Sequence, residues 1–303
     1  MGDDWSVPEP LVARMSAQPN TAAWVAGLPG LAEQLAAEWQ LARDGAPWSG
    51  FLSAVWPVRT PAGLPLVLKV GYPDPKTRSE AAALRAWTGR GTVRCLADDP
   101  DRQALLLERL DGDRSLETHP DVDAACAWIA DLLARVHQVA PLPGLRTVAG
   151  EAVELAEQIE TAAAQHRGML PVRSVDQALA TLADLAAPGA DVWMLHADCH
   201  FLNVLPTLDG AGWRAIDPLP TAGPREWELL ALLRNRWADA AAGGDPDAAL
   251  GRRVDQVCEV LGADAAYARQ LAQAASVFML LELLPTEPTH FFVPPHQLML
   301  GWT

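Results

Sequence analysis

The sequence predicts an α+β fold with two lobes, a small β-rich lobe over residues 1–110 and a larger, mainly helical lobe over residues 111–303. Short apolar runs separated by turn residues dominate from residue 48 to residue 110, and helical periodicity dominates from Gly112 onward. With 303 residues, half of them apolar, the chain is long enough to bury two modest cores. We therefore expect a sheet-containing lobe followed by a helical one.

Composition excludes several classes of protein. A formal net charge of −15 disfavours nucleic acid as a partner, because nucleic-acid binding rewards a basic surface. The same charge would attract a cationic ligand, although a purely solubilising role explains it equally well. No apolar run reaches the length of a membrane-spanning helix, and the acidic start of the chain does not resemble a signal peptide. The four cysteines lack metal-binding spacing, so we expect reduced thiols in a cytoplasmic protein without membrane association.

The first lobe is predicted to begin with a helix over residues 20–44, where apolar residues recur at three- and four-residue steps. Two strands follow, over residues 48–56 and 66–70. Gly50 and Ser53 lie at a bend in the first of these segments. Protein kinases have a glycine-rich loop that covers the phosphates between two such strands, but this segment has one glycine in place of three and is a weak signal by itself.

Lys69 is a stronger signal, because it lies one residue from the end of an apolar strand. Burying its charge without a partner would be costly. The segment 76–87 has the pattern of a helix and carries Glu80, eleven residues after Lys69. We expect these two side chains to form an ion pair; the alternative is that both are unrelated surface residues.

The segment from Trp193 to Asp217 carries a dense cluster of polar residues, His196, Asp198, His200 and Asn203. An apolar run precedes it, and a short strand begins at Asn203. The pair Asp209-Gly210 then separates this strand from a second one that ends at Asp217. Asp-Gly between two strand-like runs predicts a hairpin, so we expect Asn203 and Asp217 to lie close together.

These residues suggest a specific chemistry. Asp198 is a carboxylate that could act as a base, and Asn203 and Asp217 offer oxygen atoms to a hard cation. Mg²⁺ is commonly held by a few such oxygens together with water and phosphate groups. A catalytic Asp, then a metal-binding Asn five residues later, then a metal-binding Asp, is the order found in protein kinases.

Two other interpretations of the same segment need consideration. His196 and His200 could be packed core histidines, with Asp198 a turn residue. Alternatively, His196, Cys199 and His200 could bind zinc, although no further Cys/His cluster in the sequence completes such a site.

The second lobe is predicted to be a helical scaffold, with helices over residues 121–139, 151–166, 174–187, 248–261 and 264–284. The tail after these helices is apolar and rich in proline, so we expect it to pack back on the large lobe. The sequence leaves both a monomer and a dimer open.

The segment H-A-D-C-H-F-L-N-V-L, followed by A-I-D-P, resembles the aminoglycoside phosphotransferase family. Its streptomycin 6-kinase and hydroxyurea phosphotransferase branch usually has H-G-D-L-H-x-x-N-V-L and then I-D-P. The similarity extends from about Trp48 to Asn235 and implies a protein-kinase-like fold that uses ATP and Mg²⁺. Ala197 replaces the usual glycine, and if its φ angle were positive, the alanine would cost roughly 1 kcal/mol.

The resemblance also implies a role for each matching residue. Asp198 would be the catalytic base, and Asn203 and Asp217 would hold Mg²⁺. Lys69, oriented by Glu80, would bind the α- and β-phosphates. Ser53 would belong to the loop that covers the phosphates. The backbone near Glu108 and Leu110 would bind adenine, and His196 and His200 would brace the catalytic loop.

The acceptor side departs from the usual family pattern. Glu228 replaces a usual aspartate and Glu226 adds a charge, whereas Leu219 and Pro224 replace a lysine and an acid. We expect Glu226, Glu228 and Asp239 to be the candidates for contacting the acceptor.

The predicted function is ATP-dependent phosphorylation of a hydroxyl group on a small, cationic acceptor. A streptomycin-type aminoglycoside is the first candidate, and it would give the enzyme a role in antibiotic resistance. Hydroxyurea or another small metabolite is the alternative. Two more distant alternatives are a nucleotide-binding protein without catalysis, which the presence of Asp198 disfavours, and a zinc-dependent hydrolase.

Overall fold

The computed structural model describes residues 5–187 and 192–302. The chain forms two compact units, Met1–Arg114 with Leu205–Arg214, and Ser115–Val204 with Ala215–Thr303. The first contains most of the β structure and the second most of the helices, which confirms the predicted α+β fold class. The first unit therefore includes a returning hairpin from the segment that the sequence analysis placed in the helical lobe.

An antiparallel sheet is the centre of the first unit. Its strands are β1 (Ala42–Arg43), β2 (Trp48–Ser49), β3 (Ser53–Arg59), β4 (Pro65–Gly71), β5 (Cys95–Asp99) and β6 (Ala104–Glu108). They lie in the order β1-β3-β4-β6-β5, and β2 pairs with β3. Its helices are α1 (Glu9–Met15), α2 (Pro19–Glu38) and α3 (Glu80–Trp87).

The register of β3 and β4 decides which side chains share a face of this sheet. Trp56 is opposite Leu68, and this face packs on α1 and α2 in a buried cluster. Val55 is opposite Lys69 and Ser53 is opposite Gly71. Because side chains alternate along a strand and directly paired residues share a face, Ser53 and Lys69 project from the face that α1 and α2 do not cover.

Helix α2 ends at Glu38, earlier than the predicted end at residue 44. Gln40 adopts a left-handed backbone with φ of 55°, and the Leu41 N–H donates to the Ala36 carbonyl oxygen at 2.8 Å. This is the hydrogen bond of a helix C-cap, so the helix ends at this cap, before residue 44.

The predicted hairpin is present, with strands β9 (Val204–Pro206) and β10 (Trp213–Ala215). Gly210 in its turn has φ of 69°, and its N–H donates to the Thr207 carbonyl oxygen at 2.9 Å. In the first unit, Thr207 forms a bridge with Leu110, which follows β6.

The second unit consists mainly of helices around a three-stranded sheet. The helices are α4 (Val122–Val136), α5 (Val148–Gln165), α6 (Val172–Ala186), α7 (Leu229–Leu233), α8 (Trp237–Ala242), α9 (Pro246–Leu261), α10 (Ala265–Leu283) and α11 (Val293–Met299). The sheet has the order β7-β11-β8, from Arg146–Thr147, Thr221–Gly223 and Trp193–Leu195. One buried apolar cluster of this unit joins α5, α6 and α10. Of the helices in the described residues, none is both long and apolar enough to cross a bilayer.

Candidate functional site

In the second unit, strand β8 is followed by a loop of polar residues. Buried apolar residues before and after Asp198 anchor this loop. Met194 and Leu195 are buried at the end of β8, and Cys199 and Phe201 are fully buried within the loop. The loop is therefore held by its apolar residues while Asp198, between them, keeps a partly exposed carboxylate. Cys199 serves here as a small apolar anchor, and burial raises the pKa of its thiol.

Asp198 is held by two neighbours that leave its carboxylate accessible. Asn203 Nδ2 donates to the Asp198 carbonyl oxygen at 3.0 Å and to Asp198 Oδ2 at 3.1 Å. Arg234 Nη2 donates to Asp198 Oδ1 at 3.2 Å. Burial raises the pKa of Asp198 to about 6, with Asp217 adding to the effect, while Arg234 and the Asn203 hydrogen bond oppose it. A carboxyl group with such a pKa is mostly ionised at neutral pH yet remains a usable base.

Asn203 and Asp217 meet where the hairpin begins and ends. The Ile216 N–H donates to the Asn203 carbonyl oxygen at 2.8 Å, so Asp217 directly follows a residue bonded to Asn203. Because Asn203 Nδ2 is bonded to Asp198, the oxygen of the same amide points to the opposite side. This oxygen and the Asp217 carboxylate are donors of the type that Mg²⁺ binds, so the two residues fit a hard cation.

A zinc site has no equivalent set of donors. Within residues 5–187 and 192–302, no group of three or more His, Cys, Asp and Glu side chains could hold a metal ion. A zinc site would need four ligands or three plus water, whereas Mg²⁺ takes most of its ligands from water and phosphate.

Glu228 does not line an acceptor pocket, which corrects the prediction for this residue. Its side chain is fully buried, and its two oxygens accept hydrogen bonds from the backbone N–H groups of His196 (2.7 Å) and Ala197 (2.8 Å). His137 Nε2 lies 3.1 Å from Glu228 Oε1. Glu228 therefore holds the backbone just before Asp198, at a point where Ala197 has φ of 61°.

The other two predicted acceptor residues are also engaged within the protein. Both Asp239 oxygens pair with the buried guanidinium of Arg236 at 3.0 Å, which lowers the pKa of Asp239. Glu226 Oε1 accepts the backbone N–H of Asp264, the N-cap residue of α10, at 2.7 Å. Asp239 and Glu226 thus each have a partner within the protein, and their roles as acceptor contacts remain predictions.

The two histidines of the loop lie beside Asp198 without being placed to act on it. His196 is fully buried, and its carbonyl oxygen accepts the Leu219 N–H at 2.9 Å. Burial lowers the pKa of His196, and burial together with Arg234 lowers the pKa of His200 to about 4. His200 Nε2 lies 3.8 Å from Asp198 Oδ2, beyond hydrogen-bond distance. Both rings are therefore neutral at neutral pH, as bracing side chains would be.

The first unit contains the residues predicted to contact the nucleotide. Lys69 Nζ lies 2.6 Å from Glu80 Oε1 and both side chains are buried, so the predicted ion pair is present. Ser53 is buried at the start of β3, and its carbonyl oxygen accepts the Gly50 N–H at 2.9 Å. Their roles in nucleotide binding remain predictions.

The two residues predicted to lie near adenine follow β6. Glu108 uses its carboxylate to bind Arg94, with Oε1 accepting from the Arg94 backbone N–H at 3.0 Å and Oε2 from Arg94 Nε at 2.8 Å. Leu110 is buried and bridges to Thr207. Since the prediction concerned backbone groups, these side-chain contacts do not bear on it.

The sequence analysis assigned no role to Arg234. The Arg234 guanidinium also lies 5.3 Å from the centroid of the Phe292 ring, in the apolar tail. The tail thus packs on the second unit, as predicted, and it contacts the arginine that binds Asp198. This contact between a cation and a carboxylate cannot be identified from spacing, because 36 positions separate the two residues.

Comparison with known proteins gives consistent results. The family model described as aminoglycoside/hydroxyurea antibiotic resistance kinase matches residues 38–279. A streptomycin 6-kinase from Streptomyces glaucescens is 39% identical over 264 residues, which cover 86% of this chain and 85% of that protein. A hydroxyurea phosphotransferase from Kitasatospora aureofaciens is 37% identical over 248 residues, covering 81% of this chain and 70% of that protein.

Among solved structures, a choline/ethanolamine kinase family protein from Mesorhizobium loti aligns with a TM-score of 0.57. The alignment covers 95% of this chain and 90% of that chain at 15% identity, and it supports the predicted fold only.

Proposed function

The chain belongs to the aminoglycoside/hydroxyurea antibiotic resistance kinase family, and on that premise we propose that it phosphorylates a hydroxyl group of a streptomycin-type aminoglycoside with ATP. Membership of this family makes the protein a phosphotransferase that acts on a small-molecule acceptor. The observation that carries the proposal is the arrangement around Asp198, a partly buried carboxylate with a raised pKa beside Asn203 and followed by Asp217.

Asp198 would accept a hydrogen bond from the acceptor hydroxyl and take its proton late in the reaction. The transition state of phosphoryl transfer is loose, so orienting the hydroxyl contributes more than removing its proton early. Before the acceptor binds, Arg234 and Asn203 fix the Asp198 side chain from two directions. An oriented carboxylate loses less conformational freedom when the acceptor arrives.

Two sets of residues would bind the nucleotide and its metal ion. Asn203 and Asp217 would hold Mg²⁺, which neutralises charge on the phosphates when it is bound. Lys69 would bind the α- and β-phosphates, and its bond to Glu80 restricts the ammonium group to one direction. Because both side chains of this pair are buried, the charge of Lys69 is little screened by solvent.

A cationic acceptor is consistent with the charge of the chain, which is −15 overall. Streptomycin carries guanidinium groups, and the 39% identity to a streptomycin 6-kinase favours it as acceptor. The 37% identity to a hydroxyurea phosphotransferase supports hydroxyurea as a second candidate. Hydroxyurea is neutral and much smaller than streptomycin, so the two acceptors differ in charge and in size although the same base, Asp198, would serve both.

The test measures ATP consumption with Mg²⁺ against streptomycin, several deoxystreptamine aminoglycosides, hydroxyurea and simple sugars, with product identified by mass spectrometry. We expect turnover with streptomycin, reduced by roughly 10³-fold or more in Asp198→Asn. Turnover with hydroxyurea alone would select the second candidate. ATP binding without turnover on any acceptor would contradict both, and absence of ATP binding would contradict the assignment of the nucleotide residues.

A further inference from the structure

Arg14, near the end of α1, binds the turn that connects β2 to β3. Its Nη1 atom donates to the carbonyl oxygens of Gly50 at 3.1 Å and Phe51 at 2.8 Å. Its guanidinium carbon also lies 4.8 Å from the centroid of the Phe51 ring. Phe51 is 74% exposed and Arg14 is itself exposed, so these contacts lie at the surface and contribute little to the core.

Two carbonyl groups bound to one nitrogen atom fix the orientation of two successive peptide planes. In a trans peptide the N–H points away from the carbonyl oxygen of the same plane. The Gly50 carbonyl shares its plane with the Phe51 N–H, and the Phe51 carbonyl shares its plane with the Leu52 N–H. Both N–H groups therefore point away from Arg14, on the same side of the turn. Adjacent backbone N–H groups that converge in this way form an anion-binding nest.

These two N–H groups are available to a ligand. Elsewhere in the turn, the Gly50 N–H donates to the Ser53 carbonyl oxygen and the Tyr72 N–H donates to the Leu52 carbonyl oxygen. In the part of the chain that the structure describes, neither the Phe51 N–H nor the Leu52 N–H has an acceptor.

The register of the sheet places this turn beside a buried cation. Ser53, at the end of the turn, is opposite Gly71, and Lys69 is two positions further along the same strand. Two residues of an antiparallel strand span ~7 Å, and both Ser53 and Lys69 project from the same face. A phosphate chain is long enough to contact both an ammonium group and a pair of amides at that separation.

We propose that Arg14 is a positioning residue for the nucleotide. It holds the turn so that the Phe51 and Leu52 N–H groups bind phosphate oxygens of the nucleotide, and this assignment rests on the function proposed above. The turn has only one glycine, at a point where a Cβ on Gly50 would lie 2.2 Å from Ser53 Oγ. Gly50 lets the turn close, and Arg14 then orients the peptide planes that follow it.

The test compares binding of ATP, ADP and adenosine by calorimetric titration to the wild-type chain, to Arg14→Ala and to Arg14→Met, which keeps the apolar stem. We expect Arg14→Ala and Arg14→Met to weaken ATP and ADP roughly 5- to 30-fold, because two hydrogen bonds that orient the nest are lost. Adenosine has no phosphate, so its affinity should stay within about twofold. Arg14→Lys should recover part of the ATP affinity, since an ammonium group can donate to both carbonyls.

Arg43→Ala is the matched control. Arg43 also lies over an aromatic ring, that of Trp5 at 5.3 Å, and also donates to a backbone carbonyl, that of Gly45 at 2.6 Å. We expect Arg43→Ala to leave the ratio of ATP to adenosine affinity unchanged. Acceptor KM values should likewise be unchanged in the Arg14 variants.

Two results would overturn the role of Arg14. One is equal weakening of adenosine and ATP in either variant; the other is an unchanged ATP affinity in a variant that melts like the wild type. If the wild-type chain itself fails to bind ATP, the proposed function fails and this inference falls with it. Binding of ATP by the wild type and equally by Arg14→Ala removes only the Arg14 assignment.

Discussion

Replacing Glu228 with glutamine should loosen the catalytic loop, because the two side chains have the same shape but different hydrogen-bonding capacity. The Glu228 carboxylate accepts from the His196 and Ala197 N–H groups, and His137 Nε2 lies 3.1 Å from Oε1. Glutamine has one acceptor oxygen and an NH₂ group. In either orientation, its NH₂ group must face one of the two backbone N–H groups.

The expected cost follows from these contacts. A hydrogen bond to a charged group contributes about 1.5–3 kcal/mol, and a buried N–H left without an acceptor costs about 1–3 kcal/mol. Glutamine is cheaper to bury than a carboxylate, which offsets part of this loss. We therefore expect Glu228→Gln to lower the free energy of unfolding by ~2–4 kcal/mol. Since the affected backbone directly precedes Asp198, kcat should fall by roughly 10- to 100-fold.

Urea unfolding and steady-state kinetics measure the two effects. Glu226→Gln is the matched control, because Glu226 accepts a single backbone N–H, that of Asp264, and is only partly buried. We expect the control to lose less than about 1 kcal/mol and to keep its kcat. A Glu228→Gln variant with wild-type stability and a kcat within twofold of wild type would refute the bracing role.

Three further predictions concern the loop that Glu228 holds. Burying an ionised Asp198 is costly, because its pKa is raised from 3.8 to about 6. Asp198→Asn should therefore stabilise the chain at pH 7 by ~1–3 kcal/mol while reducing turnover by roughly 10³-fold or more. Thermal melting checks the stability, and the gain should shrink below pH 6 as the wild-type carboxyl is protonated. The base must be ionised, so wild-type kcat/KM should be retained above pH 6 and fall as the pH drops below it; Arg234→Ala should move this acid limb to higher pH, because Arg234 lowers the pKa of Asp198, and an unmoved limb would contradict the contact. Ala197 has φ of 61°, so Ala197→Gly should raise the free energy of unfolding by ~0.5–1 kcal/mol, with Ala231→Gly, inside α7, as a control that should lose stability.

The local features of this site were accessible from the sequence. The hairpin at Asp209-Gly210 and the ion pair of Lys69 with Glu80 were both predicted and are both present. Turn residues and strand patterns determine structure over a few neighbouring positions. A helix that directly follows a strand packs close to it, so a side chain on the helix can readily pair with one on the strand. The predicted fold class and family are confirmed for the same reason, since the motifs that define them are contiguous segments.

The acceptor prediction for Glu228 was wrong because the burial of its side chain could not be read from the sequence. Glu228 was selected because it is acidic and lies beside the expected cleft, but its side chain is fully buried on backbone N–H groups. Asp239 was selected on the same ground; its oxygens pair with Arg236 but its side chain is exposed, so its role as an acceptor contact remains a prediction. The sequence alone does not show whether an acidic side chain faces solvent, a ligand or the backbone of another segment.

What the sequence by itself determined is the family and fold class, and the order of the polar residues Asp198, Asn203 and Asp217 together with the elements that present them. Only the tertiary structure decided how those groups are held. Arg234 on Asp198, Glu228 on His196 and Arg14 on Gly50 join residues 36, 32 and 36 positions apart. Such contacts depend on how separately formed elements pack, and no local pattern of residues encodes that packing.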